Sequence, residues 1–292
     1  MAHSRVYLPK LNCPPATILD FLVKKFPHIP AEKWRDRIDR GIVTAASGTP
    51  ITPDTPYRHG QMIFYVKEVP FEPPCDEEET ILYQDEQILV ANKPHGMPVT
   101  PAGQHIARSL LNRLQQRTGI ESLVPLHRLD RDTAGVVLFG LKAECRARYH
   151  QLFATGKIRR EYFAVALVAQ VPEERQWLVQ NRMEPGDPWF RQKVVATGHF
   201  NAKTEITLIE TRGGLGIFHL VPYTGRKHQL RVHMHSIGHP ILGDLLYPQI
   251  NEPQPAVAPL QLLASRLAFM DPVTGLERDF RSPTRLQHAW GP

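Results

Sequence analysis

From Thr80 onward the chain is dominated by strand-length apolar runs that do not alternate regularly with helices, and this limits its fold more than any other feature. The runs are "TILYQD", "QILVANKP", "GVVLFGL", "REYFAVALVA", "KTEITLIET" and "GIFHLVPY". Helical spacing interrupts them in few places, notably "IARSLLNRLQQRTG" and "KAECRARYHQLFATG". A doubly wound fold would need a helix between most successive strands. The pattern predicts an α+β domain on a mostly antiparallel, mixed sheet.

The first 70 residues have a different texture. "ATILDFLVKKF" puts Ile18, Leu19, Leu22 and Phe26 at helical spacing, and "AEKWRDRIDRG" predicts a second helix ending at Gly41. "IVTAA", a "SGTP" turn and "QMIFYV" then read as short strands. This predicts a small helical/β domain over residues 1–70, an acidic, proline-bearing linker over 71–80 and a larger domain over 81–292. The proline-bearing stretch "PQINEPQPAVAP" (248–259) reads as a surface loop.

Lys24 and Lys25 end the first helix, while Lys33, Arg35, Arg37 and Arg40 load the second. Such a run is either a solvated helix face or a grip on phosphate backbone, with Arg37 and Arg40 as candidate contacts. The whole chain carries 35 Lys and Arg against 29 Asp and Glu, a formal charge of +6. That balance is compatible with a polyanionic partner. The longest apolar run, "YFAVALVAQV", is far shorter than the roughly 20 residues of a membrane span, so no membrane partner is expected. The first residues lack the apolar stretch of a secretory signal, which predicts a cytoplasmic protein, and nothing demands more than a monomer. Cys13, Cys75 and Cys145 fit neither a disulfide framework nor a paired zinc motif.

Chemistry concentrates in two stretches. In "PLHRLDRDTAGVVLFG", Asp130 stands between Arg128 and Arg131 at the mouth of an apolar run. A turn-capping aspartate is the plain alternative. A carboxylate beside a core strand is costly, however, unless an arginine pairs with it, and an ionised carboxylate can attack an electrophilic carbon. Asp132, two residues on, should point elsewhere, which weakens a paired-carboxylate glycosidase reading. In "VPYTGRKHQLRVHMHSIGHPILGD", a helix starting at Thr224 or Gly225 would bury Leu230, Met234 and Ile237 and leave Arg226, Lys227, His228 and Arg231 for partners. Metal binding by its histidines is disfavoured, because His233 and His235 diverge by about 200° around a helix and Gly238 and Pro240 disrupt the pair of His235 and His239. "NKPHGMPVTPAG" lacks the phosphate-cradle pattern of nucleoside triphosphate binders.

Together "NKPHGMPV", "HRLDRDTAG", "REYFAVA" and "TGRKHQLRVHMHSIGHPILGD", leading to Tyr247, resemble the RluA-type family of pseudouridine synthases. The N-terminal unit more loosely resembles a small αL-type RNA-binding module of a ribosomal protein and several RNA-modifying enzymes. The resemblance implies isomerisation of uridine to pseudouridine within ribosomal or transfer RNA, with no metal and no organic cofactor. It implies Asp130 as the catalytic aspartate, Arg231 as the arginine pairing with it, and Tyr162 as the residue stacking on uracil. Arg128 would help fill the space left by the flipped nucleotide, and Lys93, His127, Arg226, His228 and Gln229 fall in the same motifs as candidate RNA contacts. Ala134, Arg160 and Leu263 depart from the serine, lysine and histidine frequent at those positions. A noncatalytic RNA-binding protein on a degenerate synthase fold and a glycoside hydrolase using Asp132 or Asp244 as its second carboxylate are the competing readings.

Overall fold

The computed structural model describes residues 3–27, 29–66, 72, 77–101, 105–168, 170–247 and 259–287. Half of the expected linker, Cys75 included, and all but the last residue of the 248–259 stretch lie outside the described residues. The chain divides into two units, Met1–Pro73 with Gly103–Ala107, and Pro74–Ala102 with Arg108–Pro292.

The first unit runs β1 (His3–Tyr7), α1 (Ile18–Lys25), α2 (Ala31–Asp39), β2 (Val43–Ala45) and β3 (Met62–Val66), with antiparallel sheet order β1-β3-β2. Thr17 and Asp20 cap α1 reciprocally: each side chain accepts a hydrogen bond from the other's backbone N–H, at 3.1 Å. Ile18, Leu22 and Trp34 are fully buried against Val43 and Ile63, each contributing about 1.5–3 kcal/mol. Strand β1 carries too little apolar pattern to be read from the sequence alone. Arg37 corrects the expected phosphate face. It is buried, its guanidinium 5.0 Å from the Trp34 ring, because its place one turn from Trp34 is on the core side of α2. Lys24, Lys25, Lys33 and Arg35 remain exposed, and Arg40 is exposed but pairs with Asp36 at 3.0 Å.

The second unit comprises β4 (Thr80–Gln84), β5 (Ile88–Lys93), α3 (Leu110–Thr118), β6 (Val124–Pro125), β7 (Ala134–Gly140), α4 (Ala143–Ala154), β8 (Ile158–Leu167), β9 (Gln176–Pro185), β10 (Gln192–Val195), β11 (Ala202–Arg212), β12 (Leu215–Pro222), α5 (Gln229–Ser236), β13 (Leu262–Met270) and β14 (Glu277–Arg281). The main path of the sheet is β10-β9-β11-β12-β8-β13-β7-β5-β4, with β14 beside β13 and β6 beside β7. All its pairs are antiparallel except β13 with β7, which makes it the mostly antiparallel, mixed sheet of an α+β fold.

Continuous apolar strands sit at the covered centre. Every residue of β5 and β7 is buried. Alternate side chains divide between two cores: Val136 and Leu138 pack with Cys145, Tyr149 and Leu152 of α4, while Val137 and Phe139 pack with Leu110 and Leu114 of α3. In β12 burial alternates, and Phe218 and Leu220 meet Leu230 and Met234 of α5. Gly135, the second residue of β7, has φ 116°, and a methyl there would collide with the Ala264 carbonyl oxygen. Only glycine lets β13 come so close to the segment that leads from Asp130.

Two helices start later than the sequence suggests, one in the stretch "IARSLLNRLQQRTG" and one in the stretch after Pro222. Helix α3 begins at Leu110 behind the Ser109 cap, because the N–H groups of Leu110 and Leu111 bond the carbonyls of Pro98 and Val99. Helix α5 begins at Gln229 rather than near Thr224. The Thr224 hydroxyl accepts from Lys203 N–H at 2.8 Å and donates to Gln229 Oε1 at 2.7 Å, which leaves it no role as a helix cap.

Candidate active site

A cleft of about 760 Å³ opens where the 126–133 loop, β8 and the start of α5 converge. Asp130, Tyr162, His228 and Arg231 line it, with Arg128, Arg226 and Lys227 exposed among its walls. Its volume lies within the range of natural ligand sites.

The Asp130 segment is pinned from below. Lys93, at the end of β5, is completely buried and donates from Nζ to the carbonyls of Pro94, Met97 and Arg131 at 2.9, 2.7 and 2.8 Å. His95 bonds the Asp132 carbonyl through Nδ1 at 2.7 Å. His127 Nε2 accepts the Leu138 N–H at 3.0 Å and its ring lies 4.9 Å from Phe153. Lys93 and His127 therefore hold the loop, which corrects their reading as RNA contacts. The ammonium is consumed by carbonyls, and the imidazole nitrogen by a strand amide.

Asp130 itself stays 30% exposed at the side chain, with Oδ2 3.7 Å from Arg231 Nη1 and Oδ1 4.0 Å from His228 Nε2. The arginine beside it in sequence, Arg131, pairs instead with Asp132 at 2.9 Å. Cationic support for Asp130 thus comes from α5. Arg231 is clamped first by Asp244, which accepts from Nε at 2.7 Å and from Nη2 at 2.6 Å. Asp244 is fully buried and also accepts the N–H groups of Leu246 and Tyr247 at 2.9 and 3.0 Å. A bidentate clamp on two donors leaves Nη1 as the guanidinium nitrogen aimed at Asp130.

This geometry corrects the glycosidase alternative. Asp244 is sealed against Arg231, Asp132 is tied to Arg131, and neither lines the cleft that holds Asp130. Asp244 closes the same motif that supplies Arg231, so the signal was present but its partner was not legible.

His228 occupies the left-handed region at φ 56° as the N-cap of α5. Its Nδ1 lies 2.9 Å from the Tyr247 hydroxyl, which accepts the Gln192 N–H at 2.7 Å. With that hydroxyl proton directed at Nδ1, Nε2 carries the ring proton and presents it toward Asp130. Burial lowers the His228 pKa, while Asp130 acts in the opposite direction. His228 therefore belongs to the support of Asp130 rather than to an outer RNA surface. Gln229 is buried and donates to Lys203 O and Thr204 Oγ1, so it too is corrected from RNA contact to loop anchor.

Tyr162 is 8% exposed on β8, and burial raises its pKa, so the phenol keeps its proton. Arg160, next to it but one, donates to the carbonyls of Pro222 and Thr224 at 3.3 and 3.2 Å and thereby holds the approach to α5. Arg226 bonds the Asn201 carbonyl at 2.9 Å from an exposed position, and Arg128 is exposed. Leu263 and Ala134 face each other in the parallel β13–β7 pair within an apolar cluster that includes Val165 and Leu242. Apolar side chains at both positions complete that cluster.

Among the described residues no three His, Cys, Asp or Glu side chains gather as a metal site. His233 is fully buried between Thr204 Oγ1 at 2.8 Å and Asn181 Oδ1 at 3.1 Å. Burial lowers its pKa to about 4 and that of His127 to about 3, from an ordinary 6.5. Both are neutral when folded, and the unfolded chain gains their protons first on acidification. Their stabilisation is present above pH 6.5 and lost as pH falls toward those lowered values. At about pH 5 each is expected to cost roughly 2 kcal/mol. Urea unfolding at neutral pH and at that pH measures the loss, and equal unfolding free energies would contradict it.

A sequence profile of the family described as RNA pseudouridylate synthase matches residues 87–236. An uncharacterized RNA pseudouridine synthase of Synechocystis is 30% identical over 231 residues, covering 79% of this chain and 79% of that protein. The dual-specificity RNA pseudouridine synthase RluA of Escherichia coli is 33% identical over 219 residues, covering 73% of this chain and 96% of that protein. Among solved structures, human RNA pseudouridylate synthase domain containing 4 superposes with a TM-score of 0.56 at 27% identity, over 71% of this chain and 88% of that chain.

Proposed function

The chain belongs to the RNA pseudouridylate synthase family and isomerises uridine to pseudouridine in RNA, and from this premise we propose that Asp130 is the carboxylate that serves the ribose in that reaction. The observation that carries the assignment is a half-buried carboxylate in the cleft, backed by Arg231, whose other donors are committed to Asp244.

In the reaction C1′–N1 breaks, the uracil turns, C5 bonds to C1′, the C5 proton leaves and N1 gains one. Positive charge develops at C1′ as the first bond weakens, and a fixed carboxylate stabilises it. Asp130 either bonds to C1′ or takes the C2′ proton to give a glycal, and both routes need the same close approach to the sugar. Tyr162, protonated and buried on the cleft wall, packs against the uracil while it is detached. The target nucleotide has to leave its stack, at a cost of a few kcal/mol, which Arg128, Arg226 and Lys227 offset through phosphate contacts. Loops and single strands of ribosomal or transfer RNA reduce that cost.

Purified protein incubated with total RNA from cells lacking the gene is the direct test. New pseudouridine at discrete uridines is the expected result, and RNA unchanged after incubation would overturn the function.

The first unit serves as an RNA-binding module of the small αL type. Support comes from Lys24, Lys25, Lys33 and Arg35, exposed on two short helices over a three-stranded sheet. Deleting residues 1–70 is expected to weaken RNA binding at least about tenfold, as four phosphate contacts are lost. Equal affinity of the full-length and shortened proteins in a filter-binding titration would remove that role.

A further inference from the structure

We propose that the turn joining β9 to β10 carries a second nucleotide subsite, in which Trp189 stacks on a base of the substrate RNA other than the target uridine. The inference rests on the RNA-modifying reading above and adds to it a contact outside the catalytic cleft.

Trp189 is 80% exposed. A mobile tip would make a poor platform, but this turn is held by Gly186 N–H to Arg191 O at 3.1 Å and Arg191 N–H to Pro188 O at 2.8 Å. The Phe190 ring stands edge-on to the indole, 5.9 Å away at 81°, and supports one side of it. Lys227 places Nζ 5.7 Å from the indole centroid. That ammonium belongs to a residue that lines the catalytic cleft and immediately precedes His228.

An exposed indole beside an ammonium is suited to a nucleotide, whose base stacks on the ring and whose phosphate meets the cation. The acid of this turn, Asp187, is opposed by Arg191 in the same turn and by Lys227 against the indole. The stem of this hairpin is also tied to the histidine beside Asp130. Gln192, the first residue of β10, donates to the Tyr247 hydroxyl, which bonds His228, whose Nε2 faces Asp130. The stem of the hairpin is thereby hydrogen-bonded, through Tyr247, to the histidine that lies 4.0 Å from the catalytic carboxylate.

The test uses full-length Asp130→Asn protein and a short single-stranded oligouridylate carrying 2-aminopurine at one position. Stacking on the indole quenches 2-aminopurine emission. Adding Trp189→Ala is expected to abolish the quench and weaken binding roughly five- to hundredfold, the range for loss of one base–aromatic stack. Trp189→Phe should retain most of both, and Leu245→Ala, which removes another exposed apolar side chain, should alter neither. Unchanged quench and affinity in the Trp189→Ala protein would overturn the subsite. So would intact RNA binding combined with loss of a self-associated form in sedimentation, which would assign the tip to a second copy of the chain. With Asp130 intact, pseudouridine formation at an unchanged KM by Trp189→Ala would remove the subsite and leave the enzyme. Trp189-dependent binding by a protein that forms no pseudouridine would remove the enzyme and leave the subsite.

Discussion

Asp130→Asn is expected to lower uridine isomerisation by at least about 10⁴-fold while changing RNA affinity no more than about threefold. The amide keeps the shape of the side chain but can neither bond to C1′ as a carboxylate nor accept the C2′ proton. Folding should be nearly unaffected. Arg231 keeps its bidentate partner Asp244, and its 3.7 Å approach to a partly exposed Asp130 contributes no more than about 1 kcal/mol. Single-turnover pseudouridine formation, measured beside filter binding of the same RNA, separates the two quantities. Retained turnover would remove Asp130 from the chemistry. Loss of turnover with matching loss of binding would make it a structural residue instead.

Asp244→Ala is expected to destabilise the protein by about 3–5 kcal/mol, because it strands a buried guanidinium that now holds two short charge-assisted bonds. The N–H groups of Leu246 and Tyr247 lose their acceptor in the same step. For a unit of this size the melting temperature should fall by roughly 10 °C. Activity should fall as well, since Arg231 is then free to leave its aim at Asp130. The double substitution Arg231→Met with Asp244→Leu separates the two effects: it removes both buried charges and should recover much of the stability, but not the turnover. A melting temperature unchanged in Asp244→Ala would show that Arg231 does not depend on this clamp.

Both results turn on a residue that the sequence placed in a motif without revealing its partner. Asp130 was legible because a carboxylate among arginines beside a core strand is costly without a charged partner. The adjacent Arg131 nevertheless proved to serve Asp132, and the supporting cation came from Arg231, about a hundred positions later. Asp244 looked like a loose second carboxylate, and it is the clamp on that arginine. Motif membership points to Lys93, His127 and Gln229 as RNA contacts, yet each bonds to backbone or to a buried hydroxyl. Arg37 is a different case, since its charge suits phosphate while its spacing from Trp34 puts it inside.

What the sequence determined by itself was the material of the fold and the order of its chemistry. Strand-length apolar runs without regularly alternating helices pointed to a mostly antiparallel α+β sheet, and the structure adds that β5 and β7 are buried throughout. Four ordered motifs identified the family, and the spacing of Ile18, Leu19, Leu22 and Phe26 marked out α1. Those features act through local propensity and hydrophobic periodicity, which depend on neighbours in the chain. Only the tertiary structure decided which charges face substrate and which are consumed in holding the loop that carries Asp130. A lysine or arginine has the same local signature in either role, and its environment is set by carbonyls and carboxylates brought from distant strands. The cleft is therefore read from contacts such as Arg231 with Asp244 and His228 with Tyr247, which exist only once β13 has closed onto Gly135 and α5 has docked on β12.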